Sequence, residues 1–169
     1  MLFLLNVKKF IGILIILCLI AGAFTGCGKE KAEAAGTLET YLNHIRDGEY
    51  DKAYELLSDF DKGNITRDTF VKWRELVAQI IQIESFSIDS KVDTFKNYKY
   101  MGAELGMAYG LKVNRKQKAL LPDIPLGTYD ETDFRIMVST KDGNSRVLLL
   151  LTNLDETVAA YEAHLEKQD

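Results

Sequence analysis

The spacing of the apolar residues changes near Ile83, and this change constrains the fold more than any other feature of the sequence. Before this point apolar side chains recur every three or four residues, as on one face of a helix. After it they recur every second residue, as on one face of a strand. Helices therefore precede strands, with no alternation of single strands and helices. That order predicts an α+β domain with an antiparallel sheet.

Three helices are predicted in the first half of the chain. Thr37 is a suitable N-cap for the first helix, and Gly48 ends it. The second follows directly, and the polar segment DFDKGN after it is predicted to be a loop. Thr66 then caps a longer third helix, whose apolar stripe includes Phe70 and Trp73.

Four strands and a last helix are predicted in the second half. The clearest alternation places Ala103, Leu105, Met107, Tyr109, Leu111 and Val113 on one face, opposite mostly small residues. The other strands are predicted at Phe86–Val92, Phe134–Val138 and Val147–Leu151, and Asp142-Gly143 is a strong turn signal. Asn153 and Glu156 have the spacing of a capping box that starts the terminal helix.

Residues 37–90 resemble the opening of the nuclear transport factor 2-like (cystatin-like) superfamily. The resemblance rests on a helix, the segment GEYDKAYELL at 48–57, a loop, and Thr66 four residues before Phe70. Small bacterial lipoproteins and the N-terminal domains of some penicillin-binding transpeptidases look similar. The resemblance implies N-terminal helices packed on a curved antiparallel sheet that forms a cone with an apolar cavity. The terminal helix is an addition to that pattern.

The N-terminal stretch FIGILIILCLIAGAFTGC, residues 10–27, has the order of a secretory signal. Lys8 and Lys9 supply the charge, an apolar core follows, and small residues end it. Phe24-Thr25-Gly26-Cys27 resembles a bacterial lipobox, which implies cleavage before Cys27 and a diacylglycerol on its thiol. The alternative is an uncleaved transmembrane anchor, and either one leaves the remainder on the extracytoplasmic side of the cell membrane.

This interpretation divides the chain into three parts. Residues 1–26 are a signal peptide, 27–36 a polar, lipid-anchored tether, and 37–169 a single α+β domain. Cys18 lies in the part that is removed, so the mature chain keeps Cys27 alone and forms no intramolecular disulfide.

The net negative charge of the chain argues against some classes of binding partner. The formal net charge is −4, and loss of Lys8 and Lys9 makes the mature chain more negative. A nucleic-acid partner would require a basic stripe, and is therefore not expected. The expected partners are the membrane, through the lipid on Cys27, and a protein or cell-wall component of the cell envelope.

One candidate site is the interior of the cone. Trp73 on the third helix and Leu105, Met107 and Tyr109 on the long strand would face it. They suit a pocket for an apolar ligand, with Tyr109 as the hydrogen-bonding group. The alternative is ordinary core packing, which uses the same residue types at the same spacing.

The second candidate is a long segment, 114–132, that holds both prolines of the chain and is predicted to be a loop. Loops of that length are often functional. Its first part combines basic and apolar residues that suit a docking partner: Arg115, Lys116, Lys118, Leu120 and Leu121. The alternative is a solvated hairpin whose leucines pack on the sheet.

No catalytic, cofactor or metal motif is recognised in the sequence, and His44 and His164 stand apart from other ligand residues. The leading hypothesis is therefore a non-enzymatic binding module without a cofactor. The alternative is a small isomerase or dehydratase that uses a buried carboxylate and a tyrosine. Glu104 is the obvious acid on the long strand, although its position in the alternation points away from Tyr109.

Overall fold

A computed structural model describes residues 28–120, 128–141 and 143–167. In this part of the chain helices come first, strands second and one helix last, which confirms the predicted α+β class. The helices are α1 (28–46), α2 (Tyr50–Glu55), α3 (Asp59–Asn64), α4 (Arg67–Ile80) and α5 (Leu154–Leu165). The strands are β1 (Ile81–Tyr100), β2 (Ala103–Ala119), β3 (Thr128–Lys141) and β4 (Asn144–Leu148).

The strands form one antiparallel sheet in the order β1-β2-β3-β4. The main core lies between this sheet and the N-terminal helices. It is made of fully buried side chains from both layers, among them Leu38, Leu42, Phe70, Tyr109 and Val138. Burial of apolar surface of this kind is the main force that holds the helices on the sheet.

Helix α4 follows its sequence prediction closely. Thr66 is its N-cap, and the Thr66 hydroxyl accepts a hydrogen bond of 3.1 Å from the Thr69 amide. Asp68 lies in the first turn, where its negative charge interacts favourably with the helix dipole and stabilises the helix. The helix ends where β1 begins, so β1 starts two residues before the predicted change of period at Ile83.

Helix α1 begins earlier than predicted. The expected polar tether at residues 28–36 is helical, and Thr37 lies within the helix instead of capping it. The segment KEKAEAA at 29–35 consists of strong helix formers. Ala34 is fully buried in the main core, so the segment is part of the domain.

The predicted loop DFDKGN is helix α3, and Asp61 explains why. The Asp61 carboxylate is fully buried and accepts hydrogen bonds from the Ser58 hydroxyl (2.6 Å) and the amides of Leu149 (3.1 Å) and Leu151 (3.3 Å). These amides would otherwise continue strand β4. The strand therefore ends at Leu148, and not at Leu151 as predicted.

Helix α5 is present, but its predicted capping box does not form. Asn153 is the N-cap in a left-handed conformation (φ 59°), and its side chain makes no capping hydrogen bond. The helix is held by packing instead, because Leu154 and Val158 are buried with Ile65 and contact the partly buried Trp73 and Leu76 of α4.

The alternation along β2 is interrupted at Gly106, which has a positive φ of 73°. Tyr98 of β1 is paired with Gly106 and Lys99 with Glu104, so Leu105 has no opposite residue. A bulge of this kind shifts the side chains beyond it to the other face. Leu105 therefore packs with Ala108 and Leu148 in a separate small cluster, and not with Tyr109 as predicted.

Candidate functional site

The four residues predicted to line a cavity do not lie together. Tyr109 is fully buried in the main core, where its hydroxyl donates a 2.7 Å hydrogen bond to Glu30 Oε2 of α1 and lies 2.9 Å from Met107 Sδ. Met107 and Trp73 are partly buried against the same core, and Leu105 belongs to the separate cluster. Three of the four thus share one core, while the bulge at Gly106 removes the fourth.

The surface clefts among the described residues include two that lie between a helix and a strand. The larger, of about 410 Å³, lies between α3 and the start of β2, and its walls include Phe60, Leu105 and Arg146. The smaller, of about 310 Å³, lies between α1 and β1. Trp73, Met107 and Tyr109 line neither of these two clefts.

Glu104 does not meet the requirement of the isomerase or dehydratase hypothesis. Its side chain is 76% exposed and forms an ion pair of 2.6 Å with Lys99. An acid that removes a proton from a substrate in the cone must reach that substrate directly. Glu104 instead lies at the wall of the larger surface cleft, whereas Tyr109 is buried in the main core.

The segment predicted to be a long loop is mostly strand. β2 continues to Ala119 and β3 begins at Thr128, because Lys118 is paired with Gln82 on one side and Thr128 on the other. Arg115, Lys116 and Lys118 are thus strand residues, and Lys116 lies 3.5 Å from the Glu84 carboxylate. Leu120 is 41% exposed. Leu121, like Cys27, lies outside the described residues.

Arg74 of α4 is the most unusual polar residue among those described. Its guanidinium carbon lies 5.1 Å from the centre of the Trp73 ring and 5.9 Å from that of Tyr50. Its Nε atom is buried and has no hydrogen-bond partner. No carboxylate of the described residues forms an ion pair with it. Buried guanidinium nitrogens normally have a hydrogen-bond partner, whereas the contacts given above for Arg74 are with aromatic rings.

The surroundings of Arg74 are tyrosines and another cation. Burial lowers the pKa of Arg74 from its ordinary value, and the charge of Arg115 lowers it further. Tyr41 of α1 is close enough to interact electrostatically, and burial raises the pKa of its hydroxyl to about 12. Tyr161 of α5 is also near. We call Arg74, Arg115, Tyr41, Tyr50 and Tyr161 the Arg74 cluster.

The Arg74 cluster can hold an anionic group. A guanidinium presents several donors in one plane and binds a carboxylate or phosphate with paired hydrogen bonds. The nearby positive charge of Arg115 favours the same kind of ligand. No group of three metal-ligating side chains occurs in the part of the chain that the structure describes, so among those residues the cluster is the clearest site for a charged ligand.

Sequence reasoning missed Arg74, although a signal was present. Arg74 is four residues after Phe70 and three before Val77, so it lies within the apolar stripe of α4. A charged residue in such a stripe is an exception to the pattern. Arg115 was singled out, but as a loop residue, and its closeness to Arg74 depends on the strand that contains it.

A family model described as an NTF2-like N-terminal transpeptidase domain matches residues 33–144, more than half of the chain. The chain belongs to this family. The match begins within α1 and ends at the start of β4, so α5 follows it. A search of curated proteins found no match.

The family assignment agrees with the fold predicted for this NTF2-like domain. Over the described residues, no helix combines the length and the apolar character that a bilayer-spanning helix needs.

Proposed function

We propose that this chain is a lipid-anchored binding module on the extracytoplasmic side of the cell membrane, and that Arg74 binds a carboxylate or phosphate group of its ligand. The observation that carries the proposal is that Arg74 is partly buried and its buried Nε atom has no hydrogen-bond partner among the described residues. The family description names transpeptidases. It therefore supports a ligand or partner that belongs to the cell envelope.

The energetic argument concerns the cost of burying a charge. Moving a cation out of water costs several kcal/mol, and an unpaired cation recovers little of it. In Arg74 the aromatic rings of Trp73 and Tyr50 offset part of the cost. A bound carboxylate or phosphate would offset the remainder. The cluster therefore favours an anionic ligand although the chain as a whole carries a net charge of −4.

The anchor is tested with Cys27→Ala. The substitution should abolish incorporation of radiolabelled fatty acid and leave an unprocessed chain, because no thiol remains at the cleavage site. Fractionation of cells and the mobility of the protein in gel electrophoresis measure both effects. A variant that stays in the membrane at its mature size would contradict the lipid anchor.

The binding role is tested with Arg74→Met in the purified full chain. The two probes are inorganic phosphate and N-acetyl-dialanine, which carry a phosphate and a carboxylate. Loss of hydrogen bonds to a charged group, worth about 1.5–3 kcal/mol, should weaken binding of the preferred probe by about tenfold or more. Isothermal titration calorimetry measures the dissociation constants.

The stability of the same variant separates binding from structure. Methionine removes the buried charge and keeps the apolar stem, so the free energy of unfolding without ligand should be unchanged or rise by about 1 kcal/mol. Arg67→Met on the same helix is the matched control, since Arg67 is half-exposed and pairs with Glu55 and Asp51. The control should bind both probes normally. Equal affinities in wild type and Arg74→Met, or a large loss of stability in Arg74→Met, would contradict the proposal.

A further inference from the structure

The turn between β1 and β2 exposes an apolar side chain under backbone strain. Met101 and Gly102 form the turn and both have positive φ, 47° and 81°. Such two-residue turns favour asparagine and glycine, because other side chains are strained at positive φ. Met101 is nevertheless 73% exposed, more than any other large apolar side chain among the described residues. Neither the conformation of the turn nor packing in the core explains why a methionine occupies this position.

The strand ends beside Met101 have the composition of a membrane interface. Tyr98 is partly buried, and its ring centre lies 6.0 Å from that of Phe95, which is paired with Ala108 farther from the turn. Tyr100 is partly buried and packs edge-on against Phe60. Lys96 and Lys99 are exposed between these aromatic residues, and Lys99 forms an ion pair with the exposed Glu104. Aromatic rings and long cationic side chains are enriched where a protein meets the headgroups of a bilayer.

The direction of α1 places the anchored end of the chain near this hairpin. Near the start of α1, Glu30 accepts the hydrogen bond of Tyr109, which is paired with Thr94. At its end, Arg46 lies over the Phe86 ring. The helix therefore runs away from the hairpin tip, and residue 28 lies on the tip's side of the domain. The chain outside the structure, with its apolar run at 10–27, joins there.

The length of the hairpin is sufficient to reach the membrane. From Tyr109 to Gly102 the strand covers about 23 Å at 3.3 Å per residue. The chain from Glu30 back to the anchoring residue covers only three positions. A bilayer that holds Cys27 is therefore within reach of the hairpin tip.

We propose that the tip of the β1–β2 hairpin inserts into the surface of the phospholipid bilayer that holds the anchor. Met101 enters the boundary between headgroups and acyl chains, and Tyr98, Lys99 and Tyr100, within three residues of it along β1, lie at headgroup level. The inference rests on the proposed anchor at Cys27. It orients the domain with Arg115, at the far end of β2, directed away from the membrane.

The test uses the full lipidated chain with Met101→Cys. If Cys27 is acylated and Cys18 is removed, the new thiol is the one that takes an environment-sensitive fluorophore. The protein is placed in nanodiscs of phosphatidylglycerol and phosphatidylethanolamine that contain a lipid quencher. Gln79→Cys is the control, because Gln79 is exposed at the end of α4 that leads into the opposite end of β1. The fluorophore at 101 should be quenched at least twice as strongly as that at 79 and should shift to shorter wavelength.

The two proposals fail in different ways. Equal quenching at positions 101 and 79 in protein that is bound to the discs would overturn the insertion and leave the anchor intact. Protein that elutes without discs, and takes up label at Cys27, would overturn the anchor and with it the insertion.

Discussion

Replacing Asp61 with alanine should lower the free energy of unfolding by about 3 kcal/mol. The Asp61 carboxylate is fully buried and accepts hydrogen bonds from the Ser58 hydroxyl and from the amides of Leu149 and Leu151. Alanine leaves these donors without partners, and each buried donor left unpaired costs about 1–3 kcal/mol. Urea denaturation followed by circular dichroism measures the change.

The control for Asp61 is Asp59→Ala on the same short helix. Asp59 is exposed, so its replacement should change the free energy of unfolding by less than about 0.5 kcal/mol. If both variants lose the same stability, α3 and not the carboxylate is responsible.

The pH dependence of stability tests the protonation of Asp61. Burial raises the pKa of Asp61 above its ordinary value of 3.8, against the lowering effect of its hydrogen bonds. The folded state then binds the proton more tightly than the unfolded state does. Relative to Asp61→Asn, the wild type should therefore lose stability as the pH rises from 3.8 through the raised pKa, and should change no further above it. A gain of stability over the same range would mean that the hydrogen bonds outweigh burial.

Phe70→Ala should be the most damaging substitution on α4, with a loss of about 4 kcal/mol. Phe70 is fully buried, and its ring centre lies 5.7 Å from that of Tyr54 and 5.8 Å from that of Trp73. Alanine removes these contacts and leaves a cavity between α2 and α4. Because typical domains are stable by 5–15 kcal/mol, the unfolding midpoint should fall strongly.

Glu75→Ala provides the comparison for Phe70. Glu75 is exposed on the same helix, so the variant should stay within about 0.5 kcal/mol of wild type. A similar loss in both variants would show that helix propensity, and not the core around Phe70, determines the stability of this region.

Long periodic segments were the parts of the fold that could be predicted. The stripe of α4 with its cap at Thr66, the alternation in β2 from Met107 to Val113 and the stripe of α5 are all recognised from local spacing. Local spacing is sufficient there because each element presents one apolar face to the core. The change of period at Ile83 was within two residues of the start of β1.

The errors occur where a distant partner decides the local structure. Residues 28–36 join α1 because Ala34 reaches the core, and DFDKGN becomes a helix whose Asp61 binds amides nearly ninety residues away. The bulge at Gly106 appears only when β1 and β2 are paired. No window of the sequence contains these partners together.

By itself, the sequence determined the class of fold, the family resemblance and the expectation of a membrane anchor, because composition and period are local properties. The tertiary structure alone brought Arg74 together with Tyr41, Tyr50, Arg115 and Tyr161, which come from five different elements. It also placed the start of α1 on the side of the hairpin tip at Met101. Both arrangements depend on how the helices pack on the paired sheet. That packing is determined by the burial of side chains that are far apart in the sequence, and local patterns do not contain this information.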